Sequence, residues 1–384
     1  MHYYLSSASP SGSSSLALKI PMPVTPSDLS ITESQLLEYF EHTASRALAV
    51  LGHDPMRIRS ILIPMALIDT SPSSTAVRQA LLGLSSLHRY GVQTQAFEFK
   101  ISAIKSLKAA SHTKIGAAEA LQHVAAGMLL CSFEIHRASC TSSQWHLFIN
   151  GVKQVLYASS IFPFKQDSVV STMMDWVFYH HSIGRFSTLH WRPALHTEYC
   201  PPVICWSVSQ LTPSPTNTLL ILLNLGYQIL SAIPESVPAG IPQTLGRELQ
   251  SFSLPDTPDP TFELFHLAIL VYFNRMTACA LEPRSITQTR IQRALTIFAA
   301  LDSCPRQFPL FIIGCEARTD EERCTVLELI DRTEKTASSR SVVILSALIK
   351  AVWVQDDLAG DRELDYREKM TAIISVCSLM PMFV

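Results

Sequence analysis

Apolar side chains recur along this chain at the 3.6-residue spacing of amphipathic helices. The clearest stripe consists of Val77, Leu81, Leu84 and His88. The Ser/Thr-rich residues 73–75 just before it suit a helix cap. The segment Leu121–Ile135 is apolar nearly all round, which is typical of a helix buried at the centre of a protein. The pattern predicts a helical protein with at least one enclosed helix.

A second stripe predicts a helix around residue 100, with Lys100 and Lys105 turned toward solvent. Its inward positions are Phe97, Ile101, Ile104 and Lys108. Further helices are predicted at 33–51, 142–160, 166–190, 214–232, 261–281, 284–303, 317–335, 339–358 and 363–377.

The 23 prolines divide the chain into segments. They are absent from 73–162 and from 310–380 and are crowded between 193 and 260. Because proline breaks helix interiors, the proline-free stretches are where long helices are expected. Alternating apolar and polar runs are short, so strands are not expected. We predict an all-α fold, an irregular multi-helix bundle of two halves (about 31–192 and 214–384) joined by a Pro-rich crossover, after a disordered Ser/Pro-rich lead-in at 1–30.

Composition narrows the classes of function. Hydrophobic residues make up 47% and charged residues 16% of the 384, and the mean hydropathy is +0.21. A large core is expected, with apolar surface that a partner, a second copy or a ligand covers. The net charge is −2, whereas tight nucleic-acid binding needs clustered Lys and Arg. The apolar stretches around 121–135 and 218–232 are too short to cross a bilayer, and no secretion signal is apparent, so a soluble intracellular protein is expected.

The nine cysteines are irregularly spaced and form no CxxC pair. Most lie inside apolar helical patterns, so buried, reduced thiols are expected. Cys200 and Cys205 lie five residues apart on a Pro-Pro loop, but no second pair accompanies them to complete a metal site.

The chain lacks the common catalytic and cofactor motifs: GxGxxG, GxxxxGK[ST], GxSxG and HExxH are all absent. Glu134 and His136 face different ways on a helix and cannot easily chelate one ion. His180 and His181 are about 100° apart on a helix, so they cannot share a pocket. We assign no catalytic, cofactor-binding or metal-binding residue. His180 is interpreted as a polar residue of the core or of an interface, with a place in a ligand pocket as the alternative.

Other charged residues have ordinary structural explanations. Arg185 and Arg192 lie beside aromatic residues, on which guanidinium groups stack. The pair Asp356-Asp357 resembles a metal-binding pair but is interpreted as the solvated end of a helix. The acidic run 320–322 is placed just inside a helix N-terminus, where negative charge suits the dipole. Trp176 is predicted to be buried.

Five segments, taken in order, carry a family resemblance. They are LLEYFEHTASRALAVLGHDPMRIRSILIPMALID (36–69), AVRQALLGLSSLHRYG (76–91), SSQWHLFINGVKQVLYAS (142–159), DWVFYHHSIGRFSTLHWRP (175–193), and FPLFIIGCEARTDEERCTVLELI (308–330), the last followed by AVWVQDDL (351–358). Together they resemble the fungal-specific transcription factor domain, the regulatory region that follows a Zn2Cys6 zinc cluster in fungal gene regulators. His146 and Phe148 depart from the commonest pattern of the third segment. The resemblance extends over about 31–384.

This resemblance implies an all-helical fold, a nuclear location with exchange to the cytoplasm, and control of a metabolic or secondary-metabolite gene set. The family's zinc cluster uses six cysteines and a basic linker to reach the major groove. The first thirty residues of this chain contain no cysteine and a single lysine, Lys19. No direct DNA contact is therefore expected from this chain. Either a zinc cluster lies upstream, or the chain acts through a DNA-binding partner, or it has taken another role, such as binding or transforming a metabolite.

Three hypotheses follow for the function. The first is a transcriptional regulator or co-regulator that forms a homodimer or binds a DNA-binding regulator. The second is a module that binds a lipophilic small molecule, since the core is rich in Met, Phe and Leu. The third, a biosynthetic enzyme with His180 or Glu134 as acid or base, is disfavoured because no nucleophile, base and orienting group occur together. We expect a non-enzyme that requires no cofactor and does not associate with membranes.

Overall fold

The computed structural model describes residues 29–48, 55–111, 116–137, 144–159, 161, 166–191, 214–231, 247, 259–304, 306–336, 341–360, 362 and 364–384. Within these ranges the chain forms fourteen α-helices and one short 3₁₀-helix (Ala44–Leu48), and no strand. The all-α prediction is confirmed. The helices are α1 (Ile31–His42), α2 (Pro55–Leu67), α3 (Pro72–Tyr90), α4 (Thr94–Ala110), α5 (Ala117–His136), α6 (Trp145–Ala158), α7 (Ser168–His190), α8 (Pro215–Ser231), α9 (Pro260–Met276), α10 (Arg284–Ala300), α11 (Gln307–Gly314), α12 (Asp320–Thr336), α13 (Ser341–Ala359) and α14 (Tyr366–Ser375).

The buried apolar side chains form one continuous core from Leu36 to Phe383. Helix α7 lies at its centre, because it packs against five other helices, α2, α5, α6, α8 and α14. Helix α5 is buried at every position from 120 to 135, as its apolar sequence predicts. None of the described helices is long and apolar enough to cross a membrane. Most of the lead-in and most of the Pro-rich crossover lie outside the described residues.

The packing of α4 corrects the sequence prediction. Ala96, Lys100 and Ala103 face the core, whereas Ile101 and Ile104 remain 50% and 40% exposed. The reason is the close approach of α3, where a Cβ on Gly83 would lie 3.3 Å from the Cβ of Phe99. Small side chains permit this approach and larger ones do not. Lys100 was therefore wrongly predicted to face solvent, while Lys105 is exposed as expected.

Two helices were missed because they contain proline. Pro64 lies inside α2, and Pro309 lies in the first turn of α11. Proline is tolerated in a first turn, where the missing N–H has no intrahelical partner. In α2 the lost hydrogen bond is offset by packing, since Leu62 and Ala66 are completely buried.

Helix starts follow the capping rules. At α1, the Ser30 side chain accepts a hydrogen bond from the backbone N–H of Glu33, whose carboxylate accepts one from the Ser30 N–H. The acidic run 320–322 occupies the first turn of α12, as predicted. The predicted helix 33–51 instead ends at His42 and continues as the 3₁₀-helix.

Candidate functional site

The stretch TMMDWVFYHHSIGRFSTLHW lies on α7, and its first histidine is buried among aromatic rings. The His180 ring lies edge-on to Trp176 and Tyr179, at centroid distances of 6.2 and 5.5 Å. Its Nδ1 lies 3.0 Å from the carbonyl oxygen of Trp176, so Nδ1 carries the proton and donates it. Burial lowers the pKa of His180 to about 3. The imidazole is therefore neutral at pH 7.

His181 faces a different neighbour, as its helical phase predicts. Its Nδ1 lies 3.5 Å from the Nζ of Lys153 on α6. Burial and the positive charges of Lys153 and Arg185 hold the pKa of His181 well below its usual value. Among the described residues, no group of three or more His, Cys, Asp or Glu side chains is arranged to hold a metal ion.

Further polar residues of α7 form a hydrogen-bonded seam with α8. The Asn217 amide donates to the Asp175 carboxylate at 2.9 Å, and the Asn224 amide donates to the Ser182 hydroxyl at 2.6 Å. Arg185 donates to the Asn224 side-chain oxygen at 3.1 Å. The seam joins the two helices without forming a site.

The predicted stacking of Arg185 on an aromatic ring is confirmed, because its guanidinium lies 5.6 Å from the centre of the Tyr227 ring. Arg192, for which the same was predicted, lies outside the described residues.

His190, near the end of α7, connects three helices. Its Nε2 lies 2.8 Å from the Tyr272 hydroxyl on α9, and its Nδ1 lies 3.2 Å from the Thr371 hydroxyl on α14. The side chain is completely buried, and burial lowers its pKa to about 3. Sequence reasoning did not single out this residue, because its partners are 82 and 181 positions away.

Two tryptophans attach the C-terminal segment to α6 and α7. The indole N–H of Trp145 donates to the carbonyl oxygen of Met380, and that of Trp191 donates to the carbonyl oxygen of Cys377, both at 3.0 Å. A Cβ on Gly184 would lie 2.9 Å from the Trp145 ring, so this glycine allows the ring to rest on α7. The glycine of the HHSIGRF motif thus has a packing role.

Glu134 is part of a buried ion pair. Its carboxylate lies 2.5 Å from Lys100 Nζ and 3.5 Å from Arg137. His136 instead points its Nδ1 at the carbonyl oxygen of Ser132, at 2.8 Å. The two residues do not form a common site, which agrees with their helical phase.

The two adjacent aspartates differ, and this corrects the prediction that both are solvated. The Asp356 side chain is only 9% exposed and pairs with Arg318 at 2.8 Å and with Lys369 at 2.9 Å. The Asp357 side chain is 57% exposed and forms two hydrogen bonds with Arg323. Periodicity missed this because the partners of Asp356 lie on other elements.

The expectation of buried thiols holds for three of the six cysteines that the structure describes. Cys131, Cys304 and Cys315 are buried, and burial raises the pKa of Cys304 to about 11. Cys279 and Cys377 are partly exposed, and Cys324 is exposed. Cys140, Cys200 and Cys205 lie outside the described residues.

The profile of the family described as "Fungal specific transcription factor domain" matches residues 35–226 and 235–377. The chain belongs to this family. It is also 39% identical to "Transcription factor iacI" of Pestalotiopsis fici over 384 aligned positions, which cover 96% of this chain and 99% of that protein. No solved structure matches the chain.

The α7 stretch is one of the five segments that resemble the fungal-specific transcription factor domain. The five resembling segments contribute to α1–α3, α6, α7 and α11–α13, the helices whose apolar faces build the core. The histidines of α7 are neutral and hydrogen-bonded, which suits a packed helix better than acid–base catalysis. Both the family and the relative are transcription factors, so the chain is a transcriptional regulator.

Proposed function

We propose that this chain acts in the nucleus as the regulatory part of a transcription-factor assembly. DNA is contacted by a partner protein or by a zinc cluster that is not part of this chain. The observation that carries the proposal is the family match across almost the whole chain. The net charge of −2 supports it, because a DNA-binding surface needs excess Lys and Arg. We propose that the chain has no enzymatic activity.

A protein partner, either a second copy or a DNA-binding regulator, is supported by the apolar surface of the first half. Ile101 and Ile104 on α4 and Leu147 on α6 are 40% to 59% exposed. A partner that covered them would remove apolar surface from water, which favours association. The proposed targets form a metabolic gene set, as the family resemblance implies.

The test is deletion of the gene, followed by sequencing of transcripts. Loss of the regulator should change the transcripts of a coherent set of metabolic genes, and re-expression of the chain should restore them. A tagged copy should be recovered with the promoters of those genes by chromatin immunoprecipitation. Tethering the chain to an unrelated DNA-binding domain upstream of a reporter shows whether it activates or represses.

The proposal is contradicted if transcripts of neighbouring genes do not change while a metabolite accumulates in the deletion strain. That result would favour an enzyme.

A further inference from the structure

Helix α4 presents two large apolar side chains to solvent instead of to its own core. Ile101 and Ile104 are 50% and 40% exposed, whereas the helix buries Ala96, Lys100 and Ala103. Isoleucine stabilises an exposed helix position less than alanine, lysine or glutamate does. Local helix formation therefore does not explain the two isoleucines, whereas a partner that removes their surface from water would.

The exposed apolar surface continues onto α6. Leu147, in the first turn of that helix, is 59% exposed. The start of α6 lies beside α4, because Gln144 accepts a hydrogen bond from the Nζ of Lys100 at 3.0 Å. Ile104 follows Lys100 by about one helical turn, so it lies on the same stretch of α4. We refer to Ile101, Ile104 and Leu147 as the α4 face.

Buried contacts fix the orientation of α4 and hence of its exposed face. A Cβ on Gly83 of α3 would lie only 3.3 Å from the Cβ of Phe99, so the two helices are in close contact. Lys100 Nζ lies 2.5 Å from the Glu134 carboxylate on α5, and the Lys100 side chain is only 10% exposed. Turning the isoleucines inward would break this buried ion pair, which is costly. The exposure of the isoleucines is therefore set by the packed fold.

Opposite charges flank Ile101 at a spacing of seven residues. Glu98 and Lys105 are both exposed, and they lie on one side of Ile101 because seven residues make close to two helical turns. Side chains that pair within a helix are three or four residues apart, whereas these are separated by about 10.5 Å along the axis. Neither forms an ion pair or a side-chain hydrogen bond with another residue that the structure describes.

This arrangement of apolar and charged side chains is self-complementary. When two copies of α4 pack antiparallel about a two-fold axis, Ile101 of one copy lies level with Ile104 of the other. Glu98 of each copy then faces Lys105 of the other, so two ion pairs flank the four isoleucines. In a parallel pair of α4 helices, residues of like charge would lie at the same level. The charges therefore favour the antiparallel pair.

We propose that this chain forms a homodimer in which the α4 faces of two copies pack with their α4 helices antiparallel. This inference rests on the proposed function and selects a second copy as the protein partner. The helix has 17 residues and is about 25 Å long, which gives a small interface for a permanent dimer. We therefore expect a reversible dimer with a Kd on the order of micromolar. The lipophilic effector predicted from composition remains a separate prediction.

Sedimentation velocity of the purified full chain, from about 1 to about 100 µM, tests the association. The wild type should change from monomer to dimer across this range. Ile101→Asp should raise the Kd at least about tenfold, because each copy would bury a carboxylate without a partner. Ile286→Asp, at a 44% exposed position of α10, is the matched control and should associate like the wild type. Both variants should keep the helical circular dichroism of the wild type, since the replaced side chains are largely exposed.

Reversal of the flanking charges tests the antiparallel geometry. Glu98→Lys alone sets like charges against Lys105 of the other copy, and Lys105→Glu alone sets like charges against Glu98, so each should raise the Kd about tenfold. An equimolar mixture of the two variants should form heterodimers as strongly as the wild type forms homodimers, because opposite charges then meet at both ends. Isotopic labelling of one variant lets native mass spectrometry distinguish heterodimers from homodimers.

Loss of the dimer in Ile101→Asp, together with heterodimers in the mixture, supports the proposal. A chain that stays monomeric at about 100 µM overturns it and leaves the α4 face to a different protein or to another segment of this chain. A dimer that Ile101→Asp does not weaken, or a mixture that forms no heterodimer, overturns it as well. These measurements use the purified chain, so their failure is distinct from failure of the transcript experiment.

Discussion

Helix α7 and the charged cleft differ in how their polar side chains are paired. The cleft lies where the C-terminal ends of α9 and α13 meet the start of α14, and its lining includes Arg275, Glu316, Arg318, Asp356, Tyr366 and Lys369. On α7, His180 and His190 are neutral, and both accept or donate within a packed interior. In the cleft, Glu316 pairs with Arg275, and Asp356 pairs with both Arg318 and Lys369. Hydrogen bonds between helices join the first region, whereas ion pairs join the described part of the second.

This difference shows that a sequence segment rich in histidine and aromatic residues need not be a functional site. The α7 stretch gathers its histidines and aromatic rings within twenty residues, yet it forms the middle of the core. The cleft draws on residues from Arg275 to Lys369, on elements that meet only through tertiary packing. The two regions therefore differ in the sequence separation of the residues that meet in them.

The largest expected effect tests whether α7 is the packed centre of the core. Trp176→Ala should lower the free energy of unfolding by about 3–5 kcal/mol, because Trp176 is completely buried and truncation leaves a cavity. Urea unfolding followed by circular dichroism measures the change. Arg362→Gln in the cleft is the control and should leave the midpoint nearly unchanged. An unaltered midpoint for Trp176→Ala would show that the side chain is not enclosed.

The cleft also contains one pair with a structural role, Lys369 and Asp356, whose side chains are 5% and 9% exposed. Lys369→Met keeps the apolar stem but removes the charge. The expected loss is about 2 kcal/mol of unfolding free energy, since Asp356 retains Arg318 and is not left unpaired. Lys350→Met, at an exposed position of α13, is the matched control. Equal midpoints for the two variants would mean that the pair adds nothing.

The buried histidines of α7 predict how stability depends on pH. The pKa values of His180 and His190 are about 3 in the folded chain, below the usual 6.5, so the unfolded chain binds more protons between these values. Stability should be full above pH 6.5 and fall as the pH drops toward 3. From pH 7 to 5.5 the loss should be about 1 kcal/mol per histidine.

Urea unfolding at both pH values tests this dependence. His190→Gln should reduce the difference in stability between pH 7 and 5.5 by about 1 kcal/mol, the contribution of one histidine. Arg362→Gln should not change the difference. If His190→Gln behaves like the wild type, His190 is not held neutral by the fold.

Much of the fold could be predicted from the sequence, because most helices carry their own periodicity. The predicted helix 166–190 is found at Ser168–His190, and the buried segment 121–135 lies within α5. The orientation of α4 could not be predicted, because its contact with α3 depends on Gly83 and small side chains rather than on its largest apolar residues. Helix α2 was missed because tertiary packing overrides the proline penalty at Pro64.

The charged cleft was not predicted at all. Asp356 appeared as half of an exposed pair, since its partners Arg318 and Lys369 lie 38 and 13 positions away and on other elements. Tyr366 gave no signal, because an unpartnered hydroxyl is visible only once its surroundings are known. Sequence patterns describe one element at a time, whereas this cleft is a property of several elements together.

The smallest expected effect concerns the adjacent residues Asp356 and Asp357, of which the first is buried and the second exposed. Asp357→Asn should leave the unfolding midpoint unchanged within error, because the carboxylate is largely exposed and water screens its pairing with Arg323. Asp356→Asn, one residue away, should lower the midpoint, because Lys369 would remain buried with its charge uncompensated. Thermal unfolding of both variants in low and high salt measures the contrast. If both substitutions shift the midpoint equally, the burial of Asp356 does not make its ion pairs more stabilising than the exposed pair of Asp357.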